Sequence, residues 1–342
     1  MSMPTTSFPG TPRITKVDGA LRQEIVDQDG NDVTHLSGDY VLDLLFDTCG
    51  TSRHAVESFR GMTCKLRSTD QNSVQWTIHN TADEHVADLK LYRRLEPGIN
   101  PEADILSNAS FVQTPTLEHT LSCHIDHIPV TIGLITSPLP GDSAADITQD
   151  FVSAGLYSHH CLQKLGEIVR VMHDAMLLGF STTAIDAAHY REKLTSYFDS
   201  LIQQAPDLQK YKDFFDRLCA AIDGEVSVQR VHGQLTVSHL QSDLNDWWIT
   251  GFGGNPELPY AQRREMNSPL WDLATLQVSN ELIAGDPVWS DMVCAAMFEG
   301  YGGSVCSPYL PPCRLSLMPN SRFMTWIPAS PIRPLRWNLC RA

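Results

Sequence analysis

Lys90-Leu91-Tyr92-Arg93-Arg94-Leu95-Glu96-Pro97-Gly98-Ile99-Asn100-Pro101 is the stretch from which the rest of the chain can be organised. It begins inside residues 86–92, whose apolar residues recur at the spacing of a strand. Glu96-Pro97-Gly98 then predicts a turn. Asn100 is a good helix cap, and Pro101 suits the first helical position, where its missing N–H has no partner to lose. Upstream, Ser73-Val74-Gln75-Trp76-Thr77-Ile78-His79 alternates apolar and polar, as a half-buried strand does. Asn80-Thr81-Ala82-Asp83 supplies turn chemistry between the two runs. Downstream, residues 118–125 and 130–136 predict two more strands, and Pro138-Leu139-Pro140-Gly141-Asp142 ends them. Residues 69–142 therefore read as a small antiparallel sheet with one inserted helix, followed by a hinge.

Beyond the hinge the periodicity becomes helical. Leu162, Leu165, Val169, Met172 and Met176 recur at helical spacing, bounded by Gly179. Two further amphipathic stretches lie within 190–222, and helices are expected over 269–283 and 289–298. Short strands at 226–231 and 247–250 interrupt them and read as a pair. Residues 143–304 thus form a helical lobe. Ahead of the sheet, 16–68 suggests a small α+β cap. Val26-Asp27-Gln28-Asp29-Gly30-Asn31 carries an Asp-Gly turn signal, and 38–47 fits either a strand or a short helix. Residues 1–15, rich in Pro, Ser and Thr, read as a flexible leader. Residues 305–342 hold seven prolines and five arginines but no Asp, Glu or Lys, which predicts an irregular tail. The expectation is a two-lobed α+β protein with a cleft between its lobes.

Composition narrows the function. Among 342 residues, 42% are hydrophobic and 19% charged, which is globular. A net charge of −15 repels phosphate backbones, so nucleic acid is not the expected partner. No apolar run is long enough to span a membrane, and the N-terminus lacks the apolar core of a secretion signal, so a cytoplasmic location is expected. Nine cysteines are scattered without a Cys-x-x-Cys pair, which predicts reduced, buried thiols rather than a zinc ribbon or disulfide framework. Ser158-His159-His160-Cys161 reads as a polar helix start, since adjacent helical residues point about 100° apart and rarely share an ion. Cys123-His124-Ile125-Asp126-His127 reads as a surface strand.

Three segments resemble the bacterial maltokinase family, which shares the aminoglycoside-phosphotransferase, protein-kinase-like fold. The first is the stretch from Lys90 to Pro101. The second is Val231-His232-Gly233-Gln234-Leu235-Thr236-Val237-Ser238-His239. The third runs from Trp248-Ile249-Thr250-Gly251-Phe252-Gly253-Gly254-Asn255-Pro256 through Arg263-Arg264 to Ser268-Pro269-Leu270-Trp271-Asp272-Leu273-Ala274. Leu165-Gly166-Glu167 with His173, and Met297-Phe298-Glu299-Gly300-Tyr301, add to the likeness, which covers roughly residues 70–303. Glucosamine kinases share the third motif.

The resemblance implies a two-lobed kinase-like fold with an N-terminal α+β cap, and ATP with magnesium as cofactors. It implies ATP-dependent phosphorylation of maltose at the anomeric hydroxyl, within trehalose and glucan metabolism, with trehalose synthase as a partner. Lys90 would hold nucleotide phosphates, oriented by Asp104 on the following helix, or by Glu102. His232 and Asp272 would support the catalytic loop. The family's catalytic Asp, however, is Gln234 here, and an amide cannot be a general base. The family's two magnesium ligands are His239 and Gly251 here, and Gly253 removes a further acid. Magnesium prefers oxygen ligands, so no metal is expected at these positions. Asp243 and Asp246 fall in a turn expected to face away from the cleft. The expectation is a pseudokinase or partner subunit that still holds a nucleotide and a small sugar. The alternative is an active but atypical kinase of maltose or glucosamine. Gln234→Asp alone should not restore activity, whereas Gly251→Asp should create magnesium dependence.

Overall fold

The computed structural model describes residues 11–17, 20–27, 29–36, 38, 59, 61–109, 111–125, 127–256 and 258–302. The expectations for residues 39–47 and for the tail from 305 lie outside them. The described chain opens with a hairpin of β1 (Thr11–Val17) and β2 (Ala20–Val26). The segment expected to be a flexible leader therefore ends inside a strand. Its Pro-Thr composition masks the pairing, which its partner β2 supplies. After β2 the predicted Asp-Gly turn is present, with Gly30 at φ +85° and Asp27 N–H bonded to Asn31 O at 3.0 Å.

The N-terminal lobe is built on five antiparallel strands. These are β3 (Thr63–Thr69), β4 (Ser73–His79), β5 (His85–Tyr92), β7 (Leu117–Ile125) and β8 (Ile128–Thr136), in the order β3-β4-β5-β8-β7. The short β6 (Arg94–Leu95) instead joins the β1–β2 hairpin. Register makes the alternation productive. Trp76 lies opposite Leu89 and Val74 opposite Leu91, all buried in one core. Each buried aliphatic side chain there stabilises by about 1.5–3 kcal/mol relative to exposure. The intervening pair, Gln75 and Lys90, falls on the opposite face, toward the second lobe.

Helix α1 (Pro101–Asn108) starts where the sequence predicts. Asn100 caps it, its side chain accepting from Glu102 N at 2.8 Å, a contact contributing about 1 kcal/mol. Ala103 of α1 packs in the sheet's core and Ile105 in the core of the helical lobe, so this helix bridges the two.

The chain passes from sheet to helices at residues 137–141. The C-terminal lobe contains α2 (Ala144–Ala154), α3 (His159–Phe180), α4 (Ala187–Gln204), α5 (Lys212–Ala220), α6 (Tyr260–Arg263), α7 (Leu270–Ala284) and α8 (Pro287–Gly302). Helices α3 and α8 meet closely because neither has a side chain at the crossing. A Cβ on Gly166 would lie 1.8 Å from Met297 O, and one on Gly300 1.7 Å from Gln163 O.

The expected strand pair in this lobe is corrected. The two short strands exist as β11 (Glu225–Gln229) and β13 (Trp247–Ile249), but they do not pair with each other. β11 pairs with β10 (Thr182–Asp186), and β13 with β12 (Leu240–Ser242), which also pairs with β9 (Asp142–Ser143). β10 is exposed along most of its length and β9 and β12 are two and three residues long, so none carries a hydrophobic period that the sequence could reveal. Among the described residues no helix is long and apolar enough to cross a membrane.

Candidate functional site

The second strand of the central hairpin aims Lys90 at the space between the lobes. Its Nζ is 2.7 Å from Glu102 Oε2, and the Tyr92 hydroxyl donates to the same oxygen at 2.7 Å. Burial opposes the charge on Glu102, yet the Lys90 ammonium and these hydrogen bonds hold its carboxyl below the usual carboxylate value. The expectation that Asp104 orients Lys90 is thereby corrected. Residues 102 and 104 are about 200° apart around a helix, so only one can face β5. Glu102 does. Asp104 faces the other lobe, 3.4 Å from Arg264 Nε and 4.0 Å from Arg230 Nη2.

The loop after β11 carries His232, Gly233 and Gln234. Asp272, near the start of α7 and fully buried, holds it from below. Its Oδ2 accepts His232 N–H and its Oδ1 accepts Gly233 N–H, both at 2.8 Å. His173 Nε2 donates to Asp272 Oδ2 at 3.1 Å and its Nδ1 accepts from the Tyr301 hydroxyl at 2.8 Å. His232 itself donates from Nε2 to Thr250 O at 2.8 Å. This tautomer leaves Nδ1 to accept from Gln234 N at 3.4 Å. Burial keeps the His232 imidazole below its usual pKa.

Gly251 follows β13 at φ +74°, a left-handed conformation. Beside it stands the ring of His239, whose Nδ1 is 2.9 Å from Thr236 Oγ1. A Cβ at 251 would lie 2.2 Å from His239 Cδ2. Burial, reinforced by His232 and Lys90, drives the His239 imidazole down to about 3, so it is neutral at physiological pH.

Magnesium does not fit this donor set. His239 offers a nitrogen, Gly251 offers nothing, and Glu102 is taken by Lys90 and Tyr92. Asp243 and Asp246 are in the turn between β12 and β13. There Asp243 accepts the amides of Asn245 and Asp246, and Asp246 pairs with Lys164 at 2.7 Å. Among the described residues no group of three His, Cys, Asp or Glu is disposed to hold a metal ion.

Three hollows meet here. One of about 460 Å³ lies between the lobes, lined by Leu134, Leu139 and Leu240 together with Lys90. One of about 430 Å³ opens in the C-terminal lobe, with Leu194, Tyr197, Trp271, Val278 and Leu282 as its apolar wall and Thr236, Glu265 and Asn267 as polar groups. A smaller one of about 140 Å³ holds Lys90, Gln234, Gly253 and Arg263. Gln234, Gly254 and Arg263 line both the small hollow and the C-terminal one.

The first and third motifs, far apart in the chain, touch. Arg94 Nη1 donates to Pro256 O at 3.2 Å, and Glu96 Oε2 accepts Tyr260 N–H at 2.8 Å. Asn100 Nδ2 donates to Tyr260 Oη at 3.0 Å, and Arg264 donates to Ile99 O. Polar residues clustered around a proline-glycine turn are the signal that was available. Their partners, some 160 residues away, were not.

This is a two-lobed, kinase-like fold. Among solved structures, the chain is similar to glucosamine kinase in complex with glucosamine, ADP and inorganic phosphate. The identity is 18% and the TM-score 0.61, over 89% of this chain and 87% of that one. A second glucosamine kinase structure, crystal form B, matches at 16% identity and a TM-score of 0.59, over 91% of this chain and 85% of that one. No family model matches the chain.

Proposed function

We propose that the chain is a pseudokinase that binds a nucleotide between its lobes and a small sugar in the C-terminal hollow, without transferring phosphate through magnesium. The observation that carries this reading is the contact of His239 with Gly251. The ring fills the volume that a metal-ligating side chain at 251 would need, and Gln234 beside it cannot take a proton from an acceptor hydroxyl.

The ligand classes follow from the walls. Leu134, Leu139 and Leu240 suit the faces of a nucleobase, and Lys90 suits its phosphate. Trp271 and Tyr197, edge to face at 5.5 Å, suit a pyranose ring. The solved glucosamine kinase that binds glucosamine and ADP supports this pairing of ligands. The maltokinase-like motifs favour maltose as the sugar, glucan metabolism as the setting and trehalose synthase as the partner enzyme.

The intact Lys90–Glu102 pair favours a second reading, an active but atypical sugar kinase. ADP release with maltose and with glucosamine separates the two. The expected result is no turnover with either sugar, while calorimetry detects ATP binding that magnesium does not strengthen. Turnover approaching about 1–100 s⁻¹, the range of ordinary kinases, would establish the second reading instead.

A further inference from the structure

Arg263, the last residue of α6, is half-buried and held at several points. Its Nε donates to Leu258 O at 2.6 Å, its Nη2 donates to Pro256 O, and its guanidinium stacks over the Tyr260 ring at 5.2 Å. These contacts fix the side chain but use only part of its donor fork. Among the described residues Nη1 has no hydrogen-bond partner and no carboxylate lies within ion-pair distance of the group.

Its position is equally specific. Arg263 lines both the small hollow beside Lys90 and the sugar-sized hollow of the C-terminal lobe. The described acids nearby have other partners. Glu96, whose charge reaches Arg263, accepts Tyr260 N–H at 2.8 Å and lies 3.9 Å from Arg94. Glu102 is bound to Lys90 and Tyr92, and Asp70 accepts the amides of Asn72 and Ser73 at 2.6 and 2.8 Å. The other residues that line both hollows, Gln234 and Gly254, carry no charge. A fixed guanidinium with no ion-pair partner among the described residues, beside a neutral amide donor, is a site for an oxyanion, and the planar fork of arginine matches a phosphate group.

We infer that Arg263 holds the phosphate of a phosphate ester where the two hollows meet, with no divalent metal between protein and phosphate. Two sources share that chemistry. A sugar phosphate would lay its ring against Trp271, and a nucleotide would reach the same point from the Lys90 side. This inference rests on the two-ligand reading above and adds to it the residue and the charged group recognised.

The test is calorimetric titration of the full chain in EDTA with glucose 1-phosphate, glucose, ADP and adenosine. Unmodified protein should bind at least one phosphate-bearing probe more than tenfold tighter than its phosphate-free counterpart. Arg263→Gln should abolish that difference and leave glucose and adenosine unaffected. Loss confined to glucose 1-phosphate assigns the site to a sugar phosphate, and loss confined to ADP assigns it to the nucleotide. Gln234→Asp is the second variant, needed because Arg263 also braces its loop. It keeps every Arg263 contact, and its carboxylate should weaken the phosphate-bearing probe at least tenfold. Equal affinity for the paired probes, or phosphate binding that appears only with magnesium, overturns the inference. If glucose and adenosine still bind in that case, the two-ligand reading survives. If neither binds, that reading falls as well.

Discussion

His239 and Gly251 exclude each other's alternatives. The imidazole lies where a side chain at 251 would have to begin, with Cδ2 2.2 Å and Nε2 2.8 Å from the position of its Cβ. The two residues are twelve apart in the chain but meet because β12 and β13 pair, and Thr250 N–H bonds His239 O at 2.8 Å. Restoring 251 alone leaves the ring in the way, and restoring 239 alone leaves no side chain at 251.

The expectation that Gly251→Asp by itself creates magnesium dependence is revised accordingly. That variant must displace the His239 ring and hold a side chain at φ +74°, a strain of about 1–2 kcal/mol. Its melting temperature should fall, and magnesium should not strengthen ATP binding. The double variant His239→Gln/Gly251→Asp should recover stability, with a coupling of about 0.5–3 kcal/mol in a double-mutant cycle, and should gain magnesium dependence. Additive effects in the cycle would mean the two positions do not compete for space.

Glu102 and Asp104 should separate cleanly. Glu102→Gln frees Lys90 from its carboxylate partner and alters the cation that faces the cleft, so ADP affinity should change several-fold. Asp104→Asn removes the carboxylate that faces Arg264 and the buried Arg230. Leaving a buried guanidinium without its counter-charge costs up to about 3–5 kcal/mol, so a lower melting temperature with unchanged ADP affinity is expected. Calorimetry and thermal melts on both variants make the comparison.

Asp272 should matter for folding more than any other polar group of the site. Asp272→Ala strips partners from two buried backbone amides and from His173. At about 1–3 kcal/mol for each group left unsatisfied, the loss is on the order of 3 kcal/mol or more. Tyr301→Phe removes only the outer link of the chain and should cost about 1 kcal/mol. Urea unfolding of the two variants measures the difference.

The depressed pKa of His239 sets an acid limb. Folded, the ring stays neutral down to about 3, while its usual value is 6.5. Between those values the unfolded chain binds a proton that the folded chain refuses, so stability falls as pH drops below about 6.5. His239→Gln should lose less melting temperature between pH 7 and pH 5 than the unmodified protein. An identical slope would mean that the ring is protonated where it stands.

The sequence alone determined the elements whose signals are local. Alternation over 73–79 and 86–92 fixed a hairpin with Lys90 on one face, and Asn100-Pro101 fixed the start of α1. The period through Leu162, Leu165, Val169, Met172 and Met176 fixed the long helix α3. It also exposed Gln234, His239 and Gly251, because residue type at a motif position needs no coordinates. Which carboxylate reaches Lys90 was open until the orientation of α1 on the sheet chose Glu102 over Asp104. The same holds for the contact of His239 with Gly251, the joining of the Arg94–Asn100 turn to Tyr260, and the shared position of Arg263. Periodicity reports which face of an element is apolar. The partner of a polar side chain depends on how distant elements pack, and a contact across 160 residues leaves no trace in either segment by itself.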